Sequence, residues 1–453
     1  MSNAEPPASV PNPQYEAPAG LRITLSLTHL LGGKTVYLML LAALLGVGAG
    51  YGAILFQTLI DLVHRVGYPK GVLVNDLYAL PWYQIVLVPA IGGALVGPLI
   101  YFFAREAKGH GVPEVMDAVA HRGGKIRRRV AAVKILASAI SIGVGGSFGR
   151  EGPIVQIGSS LGSSLGQLLH LEARELRLLV GCGAAAGIAA TFNAPIAGAI
   201  FAIEVILGTS TISTFTPLVV ASVVATAISR FHLGNTPAFR VPSYGLESPS
   251  ELLLYLLLGV LCAFVGLAFS RGLYVVEDVW DKLPLHDTLK PIVGGAMVGC
   301  LGLVLPHVMG VGYETVEAVL ASDNHIGLYL LLGLVAAKIV ATHLSIGSGL
   351  SGGIFAPSLF IGAMAGGAFG VVVNYLLPGT VAPSGAYAIV GMAAVVSAAI
   401  HAPLSAILIV FEMTGDYRLI LPLMLAVLVA SALSKRISPA SIYTLKLLRR
   451  GVR

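Results

Sequence analysis

Apolar runs fill most of the chain and are of two kinds. Long ones cover about residues 36–63, 83–103, 251–274, 291–305, 326–343 and 419–433. These predict helices that cross a hydrocarbon core, which takes about 20 residues. Shorter ones, broken by Gly or Pro, cover about 130–144, 153–169, 178–190, 195–207, 354–377, 387–400 and 403–413. These predict helices that stop part-way through a bilayer, where non-helical backbone is tolerated only if buried in protein or lining a wet cavity. Residues 1–33 lack a basic patch followed by an apolar core and read as a tail, not a signal peptide, with a short amphipathic piece near 21–31.

The interrupted runs repeat. Pro153 is followed by Ile157-Gly158 and Gly162, and Pro357 at the same spacings by Ile361-Gly362 and Gly366. Asn193-Ala194-Pro195 matches His401-Ala402-Pro403, and nine residues after each proline stands a glutamate, Glu204 and Glu412. The prolines of each half lie 42 and 46 residues apart. Shared apolar composition does not reproduce four such spacings, so the chain is read as an internal duplication, parallel or inverted. The division expected is a tail (1–33), a transmembrane domain (34–434) in halves of about 34–230 and 250–434, and a C-terminal segment (435–453).

Composition fixes the class. The chain is 56% hydrophobic and 11% charged, against about 25% charged in soluble proteins, and its mean hydropathy is +0.86. It has too little polar surface for a soluble fold of 453 residues. The net charge of +6 concentrates in Arg122, Lys125, Arg127, Arg128, Arg129 and Lys134, and in Lys435, Arg436, Lys446, Arg449, Arg450 and Arg453. The positive-inside rule puts both groups on the cytoplasmic side of the membrane. With no soluble domain to present them, they do not predict a nucleic-acid partner. Cys182, Cys262 and Cys300 lie in apolar runs without ligand spacing and are expected to pack. No His-Glu-x-x-His and no Asp pair in an apolar run points to an intramembrane enzyme, a metal or a cofactor.

Chemistry centres on Gly149-Arg150-Glu151-Gly152-Pro153, an acidic group within apolar sequence. Charge at membrane depth marks an ion or proton path. The glycines before Arg150 and before Ile354 permit tight turns, and Pro153 and Pro357 suit a first helical turn. Free amides at a helix start bind anions without a buried cation. Two such starts meeting would make an anion site, with the carboxylate of Glu151 as a tethered anion that leaves when protonated. Arg150 is expected to pair locally. Gly158 and Gly162 are assigned to the same turns, close helix packing being the alternative. Asn193 and His401 are expected to cap the helices after them, His343 and Ser345 to be satisfied internally, Asp416 and Tyr417 to form a turn, and Trp82 and Tyr83 to anchor at an interface.

Gly-His-Gly-Val-Pro-Glu (109–114), Gly-Ser-Phe-Gly-Arg-Glu-Gly-Pro (146–153), Gly-Gly-Ile-Phe-Ala-Pro (352–357) and Tyr443 together resemble the four ion-pathway segments of the CLC chloride channel and transporter family, over about residues 30–445. The resemblance implies an all-α polytopic fold of two inverted repeats with tilted and interrupted helices, in the plasma (inner) membrane with both termini cytoplasmic. It implies a homodimer with one chloride pathway per subunit and contacts in segments 195–207, 216–229, 403–413 and 419–433. Glu151 would be the gate, the amides of Ile354 and Phe355 the central anion site, those of Gly149, Arg150, Glu151 and Gly152 the external site, and the Tyr443 hydroxyl the inner closure. Paired cytoplasmic nucleotide-binding modules follow the last helix in many members and are not expected within 435–453.

Two positions depart from the family pattern. His110 stands where chloride-selective members usually carry Ser. It is expected to line the inner mouth, donate to an anion and make transport more pH-sensitive. Val205 stands where proton-coupled members usually carry a second glutamate. Valine carries no proton, and adjacent Glu204 points elsewhere on a helix and, matched by Glu412, reads as structural. The expectation is channel-like or weakly coupled chloride transport, with chloride/proton antiport as the alternative.

Overall fold

The computed structural model describes residues 33–69, 80–208, 211–235, 238–239, 241–322 and 326–452, so the expected tail up to residue 32, with its amphipathic piece, lies outside the described residues. All regular elements among them are helical: α1 (Lys34–Gly67), α2 (Trp82–Phe103), α3 (Val112–His121), α4 (Arg129–Gly143), α5 (Glu151–Leu168), α6 (Ala173–Phe192), α7 (Pro195–Phe201), α8 (Ile212–Leu233), α9 (Leu252–Lys282), α10 (Lys290–Val304), α11 (Tyr313–Leu320), α12 (Leu328–Gly347), α13 (Phe355–Leu376), α14 (Ser384–Ile400), α15 (Pro403–Thr414), α16 (Ile420–Ile437) and α17 (Ile442–Arg449). A π-helical turn, Ala202–Leu207, continues α7. Eight helical segments among the described residues are long and apolar enough to cross a membrane; α10, expected to be one, stops at 15 residues. The chain is a multi-pass membrane protein.

Helices α1–α8 are answered in order by α9–α16. Equivalent helices α2 and α10 pack antiparallel. A Cβ on Gly93 would lie 2.1 Å from Pro291 O and one on Gly97 2.3 Å from Thr288 O, while Gly295 and Gly299 stand as close to Pro89 O and Ile85 O. Partner numbers fall as residue numbers rise, so the pseudo-twofold axis runs across the helices and the repeat is inverted. Inside each half a second glycine crossing recurs. Gly158 and Gly162 abut Gly183 O and Leu179 O, and Gly362 and Gly366 abut Gly391 O and Tyr387 O. Backbone contact this close admits only glycine, so these four glycines pack helices together and do not belong to the anion turns. Helices α6, α13 and α14 are buried almost all round and form the centre.

The Asn-Ala-Pro and His-Ala-Pro turns correct a second expectation. Asn193 and His401 close the helices before them, with φ of 58° and 64°, and do not cap the ones after. The residue before a proline avoids the α region, so Ala194 and Ala402 are drawn out and the left-handed residue makes the reversal. The helix starts are instead capped across the dyad. Glu412 accepts from Ile196 N (3.2 Å) and Ala197 N (2.7 Å), and Glu204 from Leu404 N (3.2 Å), Ser405 N (2.7 Å) and Ser405 Oγ (2.6 Å). Each half thus satisfies the orphan amides of the other.

Lys134 is not part of a basic surface. It is fully buried and donates to Ala107 O (3.1 Å) and Gly109 O (2.7 Å); its counterpart Lys338 donates to Val308 O (3.0 Å) and Gly310 O (2.9 Å). Lys446 is buried as well, and Arg450 pairs with Glu114 at 2.9 Å. Cys182 and Cys262 pack as expected, whereas Cys300 is exposed. Trp82 and Tyr83 stand exposed at the start of α2. His343 Nε2 meets Phe269 O at 2.8 Å, Ser345 Oγ accepts from Ser147 N, and Asp416 caps Arg418 N and Tyr244 N.

Because the two carboxylate caps are equivalent, Glu204→Ala and Glu412→Ala should each cost about 1–3 kcal/mol of stability, read as a lower unfolding midpoint in detergent. A Glu204→Ala protein of unchanged stability would contradict the capping role.

Candidate functional site

The site forms where three glycine loops meet. Gly149 N donates to Gly353 O (2.8 Å) and Gly353 N to Gly149 O (2.6 Å). Gly109 N donates to Leu350 O (3.2 Å), and Gly352 N to Gly109 O (3.3 Å). Each half begins its turn with a left-handed glycine, Gly145 at φ 94° and Gly349 at 101°. A Cβ on Gly152 would lie 2.3 Å from His110 O, and one on Gly149 2.9 Å from Ala356 N; the approach requires glycine at both. Serines reinforce the crossing with the same symmetry. Ser147 Oγ meets Thr342 Oγ1 at 3.1 Å and Ser351 Oγ meets Ser138 Oγ at 2.9 Å. Ser351 N donates to Ser141 Oγ just as Ser147 N donates to Ser345 Oγ. Both turns carry Gly-x-Ser-x-Gly spacing (145–149 and 349–353), but these serine hydroxyls bond other hydroxyls, and Ser351 also Ala107 O, instead of a base.

The crossing sets the starts of α5 and α13 against each other. Neither has a side-chain cap from the residue before it. Glu151, 1% exposed, instead reaches across: its carboxylate accepts from Tyr313 Oη at 2.8 Å and from Ala356 N at 3.4 Å. An anionic group therefore sits at the positive end of α13. Gly149 departs from expectation: its amide is committed to Gly353 O, which removes it from the anion-donor set expected over 149–152. Arg150 turns away, donating to Gln57 and to Thr191 O (3.3 Å), with its guanidinium 5.8 Å from the Tyr313 ring centre. Ile354 and Phe355 are buried at the start of α13, the Phe355 ring lying 5.4 Å from Phe192 and 6.4 Å from Phe201.

His110 does not turn out to solvent. It is 1% exposed, its ring lies 5.6 Å from that of Tyr443, and neither ring nitrogen has a hydrogen-bond partner among the described residues. Tyr443 opens α17, whose first turn is fixed by the reciprocal Ser441–Thr444 cap and by Tyr274, which donates to Ile442 O. Tyr443 lines a cavity of about 250 Å³ together with Glu204, Val205, His401, Ser441 and Thr444. On the other side of the crossing a cavity of about 290 Å³ is lined by Arg150, Tyr313, Gln57, His64 and Gly312. Glu151, His110 and Phe355 are buried; Glu151 touches Tyr313 of the second cavity, and the His110 ring lies against Tyr443 of the first. Val205 sits in the π turn after α7, whose counterpart in α15 stays α-helical; isolated π turns concentrate at functional sites.

Tyr313 is the contact the sequence reading missed. Its signal was a weaker repeat: Gly310-Val311-Gly312 mirrors Gly109-His110-Gly111, and both loops are held by a buried lysine.

The chain matches the family model described as voltage gated chloride channel over residues 92–435. It is 36% identical over 419 residues to a putative chloride channel protein ClcB-like of Ralstonia nicotianae, covering 91% of this chain and 97% of that protein. It is 33% identical over 423 residues to the H(+)/Cl(-) exchange transporter ClcA of Salmonella arizonae, covering 91% and 88%. The solved structure of a slow cyanobacterial Cl-/H+ antiporter superposes with a TM-score of 0.83 at 29% identity, covering 91% of this chain and 97% of that one. With the fold, the inverted repeat and most of both sequences in agreement, the chain belongs to the voltage gated chloride channel (CLC) family of anion transporters.

Proposed function

We propose that the chain passes chloride through a pathway gated by Glu151, with weak or no coupling to protons. The observation that carries this reading is the buried Glu151 carboxylate held at the start of α13 by the Ala356 amide and the Tyr313 hydroxyl. A carboxylate there is a tethered competitor for a chloride ion. Protonation removes its charge and its hold on Ala356 N and the helix dipole, which frees the seat. The amides of Arg150, Glu151 and Gly152 on one side, and of Ile354 and Phe355 on the other, then face the ion. Neutral donors bind it without the tight hold of a fixed cation, so it can leave. The unpartnered His110 nitrogens and Tyr443 supply donors toward the inner cavity.

Weak coupling follows from Val205. It lines the cavity below Tyr443, at the place where the family pattern puts a proton-carrying glutamate, and Glu204 beside it is occupied in capping α15. Antiport is the second reading, favoured by the exchange activity named for the Salmonella relative and the cyanobacterial neighbour. On the same proposal the basic residues of 122–129 and the last helix face the cytoplasm of a cell whose plasma membrane holds the protein. Two copies meet through the exposed apolar faces of α7, α8, α15 and α16, where Ile196, Val223, Leu404 and Leu428 point outward.

Chloride-loaded vesicles with simultaneous proton recording decide between the readings. Chloride efflux without uphill proton movement is expected, and proton uptake driven by the chloride gradient would establish antiport instead. In the same assay Glu151→Gln should give a flux that no longer rises on acidification; wild-type pH dependence in that variant would remove Glu151 from the gate. His110→Ser should change anion preference, and an unaltered selectivity would take His110 out of the pathway.

A further inference from the structure

We infer that Tyr313 is a latch on the gate and a shared anion donor: its hydroxyl holds the Glu151 carboxylate when the pathway is shut and turns to the chloride ion when the carboxylate leaves. This rests on the gating role of Glu151. The geometry is a two-donor seat, with Tyr313 Oη 2.8 Å from one carboxylate oxygen and Ala356 N 3.4 Å from the other. The hydroxyl is the shorter contact and, unlike the amide, belongs to a side chain that chemistry can remove.

The hydroxyl is placed by the fold. Tyr313 is the first residue of α11, after Gly312 at φ 82°, a conformation that costs a side chain dearly. The loop before it is held by Lys338 through Val308 O and Gly310 O, and by Gly310 N donating to Gly145 O (3.1 Å) in the turn that leads to Glu151. The Tyr313 ring is fixed edge-on by Phe239 at 5.1 Å and faced by the Arg150 guanidinium. Gate and latch therefore stand on two loops that are hydrogen-bonded to each other. Tyr313 also lines the 290 Å³ cavity, so the hydroxyl stands where an ion entering from that side meets the seat.

A charge-assisted hydrogen bond to a carboxylate favours its ionised, seated form. The other ionisable groups facing the seat are Arg150 on the same turn and Tyr443 from α17, with Asp61, His64 and Glu314 around the cavity. None of them is altered by Tyr313→Phe, which keeps the ring and its packing.

In vesicles, Tyr313→Phe should move the half-maximal pH of chloride flux upward by about one unit and raise the half-saturating chloride concentration severalfold. In a Glu151→Gln background the second effect should persist and the first vanish. If Glu151→Gln abolishes pH dependence while Tyr313→Phe leaves both midpoint and half-saturation at wild-type values, the latch is wrong and the gate stands. If Glu151→Gln itself keeps the wild-type pH profile, the gate reading has failed first.

Discussion

Two hydrogen bonds between Gly149 and Gly353, one in each direction, join the starts of α5 and α13 in a region where no water replaces a lost partner. Everything at the site is placed by that crossing. It brings a carboxylate from one half to the helix start of the other, and it needs glycine at 149, 152 and 353 because a single Cβ would force the loops apart. The surrounding hydroxyls of Ser147, Ser351, Thr342 and Ser138 complete a neutral hydrogen-bonded plate. Such a plate can receive an anion using dipoles alone.

The buried lysines complete that logic at a distance. Lys134 binds two carbonyls of the loop that carries His110, and Lys338 three of the loop that leads to Tyr313. Carbonyl oxygens facing the proposed pathway would repel an anion, and the lysine N–H groups take up that acceptor capacity.

Much of this was legible in the sequence. The membrane class came from composition, and the duplication and the helix starts at Glu151 and Phe355 from spacing that survives in the backbone, because Gly and Pro mark geometry directly. The short helices α3, α11 and α17 did not, since eight to ten amphipathic residues leave no apolar run. With α11 went Tyr313. Lys134 was read as surface because a lysine near Arg127–Arg129 looks like its neighbours until the fold shows carbonyls around its ammonium. Asn193 and His401 were read as caps for the wrong helix, since the residue before Ala-Pro can serve either side. The reciprocal reach of Glu204 and Glu412 depends on three-dimensional swapping that no linear spacing expresses.

The repeat is most informative where it fails. Matching Gly149 to Gly353 and Pro153 to Pro357 sets Glu151 opposite Phe355. Matching the Gly-x-Gly loops sets His110 opposite Val311 and Tyr313 opposite Val112. In each pair one half keeps an apolar residue and the other carries the polar group. A strictly symmetric site would set a carboxylate at both helix starts, and two like charges so close could not both be ionised. The scaffold can therefore be duplicated, because helix starts and glycine crossings serve both halves equally. The proposed gate cannot: a single carboxylate with its one donor hydroxyl gives the twofold frame a direction.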